Sequence, residues 1–210
     1  MIIRLRRVFI PILLTICAAG AAQTITKQFQ QTRYDFKDLA MVDSVTGWGV
    51  GKAHWDQDKK AFTGTILRTD DSGENWMVQN SGTTHDLWDL CFLDKSNGWA
   101  VGDSGTVIST SDGGQIWTKQ DVGTDLNFKS VFFTDGSTGW VLANEVIHFT
   151  WNGMPDGWRG RVWHTDDGGD TWNEQVFPED IGLMHCIYFL DNLKGWAVGV
   201  RTDSIDIWVA

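Results

Sequence analysis

A five-residue signature recurs four times in this chain, and its spacing restricts the fold more than any other feature. Its copies are Gly47-Trp48-Gly49-Val50-Gly51, Gly98-Trp99-Ala100-Val101-Gly102, Gly139-Trp140-Val141-Leu142-Ala143 and Gly195-Trp196-Ala197-Val198-Gly199, with tryptophans 51, 41 and 56 residues apart. Five residues before each Trp stands Asp43, Asp94, Asp135 or Asp191. Seven before stands Met41, Phe92, Phe133 or Phe189, and nine before stands Leu39, Leu90, Val131 or Ile187. Apolar, then aromatic or Met, then Asp, at every second position, describes a strand with one buried face running into a turn. Tandem copies at such a period indicate one supersecondary unit that buries its faces against its neighbours.

A second signature falls between copies of the first. Thr69 to Trp76, Thr110 to Trp117 and Thr165 to Trp172 all read Ser/Thr-x-Asp-x-Gly-x-x-Trp. The pattern resembles the Asp box, a hairpin turn shared by several propeller families. Its physics suits a turn, because the Asp side chain accepts backbone N–H groups and Gly permits positive φ. The residues that carry it are Thr69, Asp71, Gly73 and Trp76; Thr110, Asp112, Gly114 and Trp117; and Thr165, Asp167, Gly169 and Trp172. One unit then reads as four strands: A the apolar-aromatic-Asp segment, B the Gly-Trp segment, C ending in the Asp box, and D beginning at its Trp. Four short antiparallel strands at a period of about 40 residues are the blade of a β-propeller. The predicted fold is all-β, with about four blades over residues 38–79, 87–120, 128–176 and 185–210. Ile25-Thr26-Lys27-Gln28 parallels Trp117-Thr118-Lys119-Gln120, so 24–29 is expected to be an outer strand that closes the last blade. Two readings of the ring stand: a small four-bladed one, or part of a six- to eight-bladed propeller.

Residues 1–22 read as a secretory signal peptide. Arg4, Arg6 and Arg7 precede an apolar run from Val8 to Cys17, and Ala18 to Ala22 forms a small-residue end. The expectation is export to the periplasm, the medium or the cell surface, with residues 23–210 as the propeller domain. Losing three arginines takes the formal charge from −10 to −13. Such a surface, without clustered Lys and Arg, repels phosphate and argues against nucleic acid as a partner. No later segment offers the roughly 20 apolar residues of a transmembrane helix. Cys91 and Cys186 remain, and both a disulfide and two buried thiols stand open for them.

The combined pattern resembles the photosystem II stability and assembly factor family, the Ycf48-like propellers, over residues 25–210. The resemblance implies a non-catalytic propeller without cofactors that holds a partner protein during assembly. Asp boxes also occur in sialidases, which makes a sialidase-like glycoside hydrolase or glycan-binding propeller the alternative. Of the arginine and tyrosine set that sialidases use, the exported part has only five arginines and two tyrosines, Tyr34 and Tyr188, in unsuitable positions. A structural repeat module within a larger cell-surface protein is the third reading. The Asp-box carboxylates lie on separate blades, one or two per turn, so they are expected to bind no metal.

The intervals between signatures point to one face. From the Gly-Trp Trp to the Asp-box Trp they run 28, 18 and 32 residues in the first three units, so every insertion falls between strands B and C. Loop variety on a rigid scaffold is where binding is usually placed. The insertions carry His54, Trp55 and Lys59 in the first unit and Trp151, Trp158, Arg159 and Arg161 in the third. Trp and Arg in such loops are the composition of protein-interface anchors, and equally of residues that cap blade ends.

Overall fold

The computed structural model describes residues 34–149, 153, 155–176, 182–201 and 204–209. The leader expected over 1–22 and the closing strand expected over 24–29 lie outside them. The described residues form strands and turns, with no helix among them, so none is long and apolar enough to cross a membrane.

In blade 1, β1 (Phe36–Met41), β2 (Gly47–Asp56), β3 (Ala61–Thr69) and β4 (Met77–Asn80) pair in that order as an antiparallel sheet. Blade 2 repeats this with β5 (Leu87–Phe92), β6 (Gly98–Gly102), β7 (Val107–Thr110) and β8 (Thr118–Gln120). Blade 3 holds β9 (Phe128–Phe133), β10 (Gly139–Phe149), β11 (Pro155–Thr165) and β12 (Asn173–Gln175). In blade 4 the described strands are β13 (Leu183–Phe189), β14 (Gly195–Arg201) and β15 (Ser204–Val209). The first strand of each blade packs on the first strand of the next, β1 on β5, β5 on β9 and β9 on β13. The sheets therefore stack side by side with their first strands innermost, which is the β-propeller that the repeat predicts.

The core lies between blades, and the Gly-Trp signature builds it. Each blade has a leading flank, toward the next blade, and a trailing flank toward the one before. Trp48 on the leading flank of blade 1 stacks on Phe92 of blade 2, with ring centroids 3.7 Å apart and planes at 9°. Trp99 stacks on Phe133 at 3.7 Å and 10°, and Trp140 on Phe189 at 3.6 Å and 8°. Trp117 and Trp172, from the Asp boxes, then meet Phe92 and Phe133 edge-on. The glycine before each Trp has a steric cause. The Phe92, Phe133 and Phe189 rings lie over Gly98, Gly139 and Gly195, where any Cβ would overlap them. Met41 covers Gly47 in the same way.

Polar bonds repeat at the same junctions. The indole N–H of Trp48 donates to the Gly113 carbonyl in the Asp box of blade 2 at 3.1 Å, as does the Gln79 amide at 2.9 Å. One junction on, Trp99 and Gln120 both donate to the Gly168 carbonyl at 3.0 Å. Inside each box the threonine hydroxyl donates to the aspartate and accepts a glycine N–H. Thr110 reaches Asp112 at 2.8 Å and accepts from Gly114 at 2.8 Å. The Asp112 carboxylate also accepts the Ile116 N–H at 3.0 Å, and this bond leads in holding it below the ordinary carboxylate range. Thr69 with Asp71 and Thr165 with Asp167 repeat the arrangement. Among the described residues no three His, Cys, Asp or Glu side chains gather as a metal site.

One inner-strand slot joins neighbouring blades directly. Asp38 accepts the Leu90 N–H at 3.3 Å, Asp89 the Val131 N–H at 2.8 Å, and Ser130 the Ile187 N–H at 3.2 Å. In blade 4 the slot holds Cys186, Cys91 lies buried in another cluster, and no disulfide joins the two. Asp38 and Asp89 are hydrogen-bonded to each other. Burial first, and then the Asp89 charge, push the Asp38 carboxyl up to about 8. A carboxyl away from water beside a second acidic side chain favours its protonated form.

Candidate functional site

The turns of each blade divide between two ends. The A–B turns and Asp boxes occupy one end, and the B–C connections and D–A loops the other. At the Asp-box end Asp43, Asp94 and Asp135 each accept the N–H groups two and three residues on, so the turns are alike. Variation belongs to the opposite end. There the sequence predicts insertion loops, and most of the insertion is instead strand. β2 runs to Asp56 and β10 to Phe149, paired with β3 and β11, whereas β6 stops at Gly102. The short turn of blade 2 therefore lies between two longer hairpins, as the floor of a saddle. That floor is tied down on both sides. Asp103 N–H donates to the Asp86 carbonyl at 3.0 Å, Gly105 N–H to the Leu126 carbonyl at 2.9 Å and Ser104 N–H to the Asn127 side chain at 2.9 Å.

On the wall from blade 1, Tyr34, His54, Trp55, Asp56, Phe62 and Val78 line a groove of about 540 Å³. Trp55 is 47% and Phe62 54% exposed, and their rings meet edge-on at 5.5 Å. His54 bonds the Thr65 hydroxyl at 2.9 Å and packs edge-on against Tyr34. Lys59 bonds Asn80 at 2.8 Å and lies 3.8 Å from Asp56. On the wall from blade 3, Arg159 is exposed and Trp158 half-buried, while Trp151 lies outside the described residues. The Arg161 guanidinium is engaged within its own blade, with two bonds to Glu174 at 2.7 and 2.6 Å and one to Glu145 at 3.0 Å. Those carboxylates, Glu174 foremost, raise its pKa. His54 and Trp55 thus line one groove with Lys59 on the same hairpin, and Arg159 and Arg161 both lie beside Glu174 with Trp158 on the same strand, but blade 2 separates the two groups.

Between them lies a cluster the sequence reading missed. Each inner strand has a β-bulge, at Lys37, Trp88, Lys129 and His185. A bulged residue leaves the alternation of the strand and is re-aimed. Lys129 sets its ammonium 3.7 Å from the centre of the Trp88 ring, and Lys37 sits 5.4 Å from it. The Trp88 indole donates to Asp103 at 2.6 Å, and the same carboxylate pairs with Lys129 at 3.2 Å. Desolvation lowers the Lys129 pKa, and Asp103 and Asp86 partly offset it. A sequence signal existed, since all four residues stand eleven before a Gly-Trp tryptophan. Continuing the two-residue period would put apolar side chains there; the chain has Lys, Trp, Lys and His, and shifts its apolar residues to Phe36, Leu87, Phe128 and Met184.

Comparison with known proteins adds a likeness over part of the chain and a fold. Residues 79–152, from the end of blade 1 into the blade 3 hairpin, match the family model of the photosynthesis system II assembly factor YCF48. A solved structure of YCF48 bound to D1 peptide aligns with a TM-score of 0.58 at 21% identity, covering 83% of this chain and 50% of that one. This chain therefore spans half the length of that relative. The GH74 enzyme of Niastella koreensis aligns at 0.56 with 13% identity over 78% of this chain and 26% of its own. The computationally designed Ika4 protein aligns at 0.55 with 14% identity over 90% and 98%. No curated protein matches the chain. At these identities the solved structures establish the propeller fold alone, and the repeat over 79–152 is what makes the chain similar to the Ycf48-type assembly factors.

Proposed function

We propose that this chain is an exported, non-catalytic propeller that holds an extended segment of a partner protein in the saddle over blade 2. The observation that carries the reading is the one-sided geometry: two raised hairpins, with Trp55 and Arg159 on the walls, flank a pinned floor bearing Trp88 and Lys129. Half-exposed aromatic rings beside fixed charges are the composition of protein-binding hot spots. The YCF48 relative has been solved with a D1 peptide, which supports a peptide as the class of ligand. The acidic charge of the whole chain, −10, speaks against polyanions.

The test is an array of overlapping peptides, D1 sequences among them, probed with the labelled protein. Peptides held by the wild type should be lost by a Trp55→Ala, Trp88→Ala, Arg159→Ala variant whose thermal unfolding stays cooperative. Equal signals for the two proteins, or none above scrambled sequences, would overturn the reading.

A further inference from the structure

At the first and third blade junctions the chain lays a nitrogen-bearing side chain of its own over the stacked tryptophan. At the first, the Arg68 guanidinium sits 5.1 Å from the centre of the Trp48 ring and donates to the Gly113 carbonyl at 3.0 Å. Two further bonds, at 3.0 and 2.8 Å, hold it to the Asp70 carboxylate. At the third, the His164 ring lies 4.9 Å from the Trp140 ring, with Nε2 3.3 Å from Asp166. Register fixes the position: Arg68, Ser109 and His164 each pair with the Gly-Trp tryptophan of their own blade and precede the Asp-box threonine.

The second junction repeats the frame with a serine in that position. Trp99 and Gln120 give the Gly168 carbonyl two of the three donors that Trp48, Gln79 and Arg68 give Gly113. Ser109 is too short to supply the third. A cavity of about 350 Å³ lies here, lined by Trp99, Ser109, Gln120, Gly168, Asp112 and Asp170. Gly136 stands where the A–B turn of blade 2 has Lys95, so this turn adds no side chain to fill it. The counterpart of Asp70 is Ser111, and Asp112 and Asp170 bring acidic charge to the cavity instead. An indole face, a carbonyl and carboxylates around one space are the partners a guanidinium uses, by stacking and by its planar fork of N–H donors.

We propose that the cavity between blades 2 and 3 takes an arginine side chain of a partner polypeptide, stacked on Trp99 and donating to the Gly168 carbonyl as Arg68 does on Trp48 and Gly113. The cavity opens at the Asp-box end and the saddle lies at the other. The two readings therefore stand or fall separately.

Nuclear magnetic resonance on the isotope-labelled full chain, titrated to about 10 mM with acetyl-Gly-Arg-Gly-amide, reads the site through the Trp99 indole N–H and the Gly169 backbone N–H. Both signals should shift saturably. The citrulline peptide, which keeps the shape and loses the charge, should bind at least about tenfold more weakly. In Ser109→Arg the chain supplies its own guanidinium, so the shifts should vanish while the urea midpoint holds or rises. The Trp55→Ala, Trp88→Ala, Arg159→Ala variant should bind the arginine peptide as the wild type does. The comparison of the two peptides needs only the wild type, so it decides the matter even where Ser109→Arg fails to fold. No saturable shift at the two groups, equal binding of the two peptides, or binding that survives in a folded Ser109→Arg chain would overturn the proposal.

Discussion

The two ends of a blade obey different rules. At the Asp-box end, blades 1, 2 and 3 repeat the same hydroxyl, carboxylate and glycine N–H bonds to within a tenth of an ångström or so. At the other end the B–C connection is a short turn in blade 2 and a long hairpin in blades 1 and 3. The reason is where each end sends its groups. Asp-box carbonyls receive the tryptophan of the preceding blade, so a change there disturbs two blades at once. A hairpin tip beyond the packed sheet meets mainly solvent and is free to vary.

The sharpest way to break this comparison is to remove one tryptophan from each end. Trp99 is 4% exposed, stacked on Phe133 and bonded to Gly168, and Trp99→Ala should cost on the order of 3–5 kcal/mol by urea unfolding. Trp55, 47% exposed on its hairpin, should cost no more than about 1 kcal/mol when changed to Ala. Comparable losses from the two would refute the division of labour between the ends.

A smaller effect tests the turn itself. Thr110→Val keeps the shape of the side chain but strips the oxygen that accepts the Gly114 N–H and donates to Asp112. The buried N–H then lacks its partner, a loss of about 1–3 kcal/mol. Thr118→Val, on an exposed position eight residues later, is the control and should leave the urea midpoint nearly unmoved.

Most of the Asp-box end was legible in the sequence, because its chemistry is local: Thr, Asp, Gly and Trp within eight residues close their own turn. The stacking partner of each Gly-Trp tryptophan was not, although Phe92, Phe133 and Phe189 were singled out as one buried face. Periodicity tells which face of a strand is apolar and leaves open which neighbour covers it. The same limit applies to Arg161. On composition it is an interface anchor, yet the β10–β11–β12 register places it between Glu145 and Glu174. The hairpins look like loops in sequence because their strand extensions, such as Lys52 to Asp56, mix charged and aromatic residues without clean alternation. The bulged residues break the two-residue period just beyond the nine positions over which it holds, eleven residues before each Trp, at Lys37, Trp88, Lys129 and His185.

The inner-strand slot sharpens the comparison further, because it varies in chemistry within an invariant geometry. Asp38 occupies it at the first junction and Asp89 at the second, and Ser130 accepts the same kind of N–H bond without titrating at the third. Asp38 has an ordinary value of 3.8 when unfolded and about 8 when folded. Between roughly pH 4 and pH 8 the folded chain therefore holds a proton that the unfolded chain has released. Its stabilising contribution is whole below the unfolded value and is lost as pH rises through the folded one, with a slope on the order of 1 kcal/mol per pH unit. Asp43, Asp71 and Asp112 have lowered values, so their contributions change only below about pH 4 and leave this window clear. Asp38→Asn supplies an amide that can donate to Asp89 and cannot titrate. Urea midpoints measured from pH 5 to pH 8 should fall for the wild type and stay nearly level for the variant. Parallel curves would mean that Asp38 does not hold its proton in the folded chain, and that the slot is as indifferent to pH in blade 1 as the Ser130 hydroxyl makes it in blade 3.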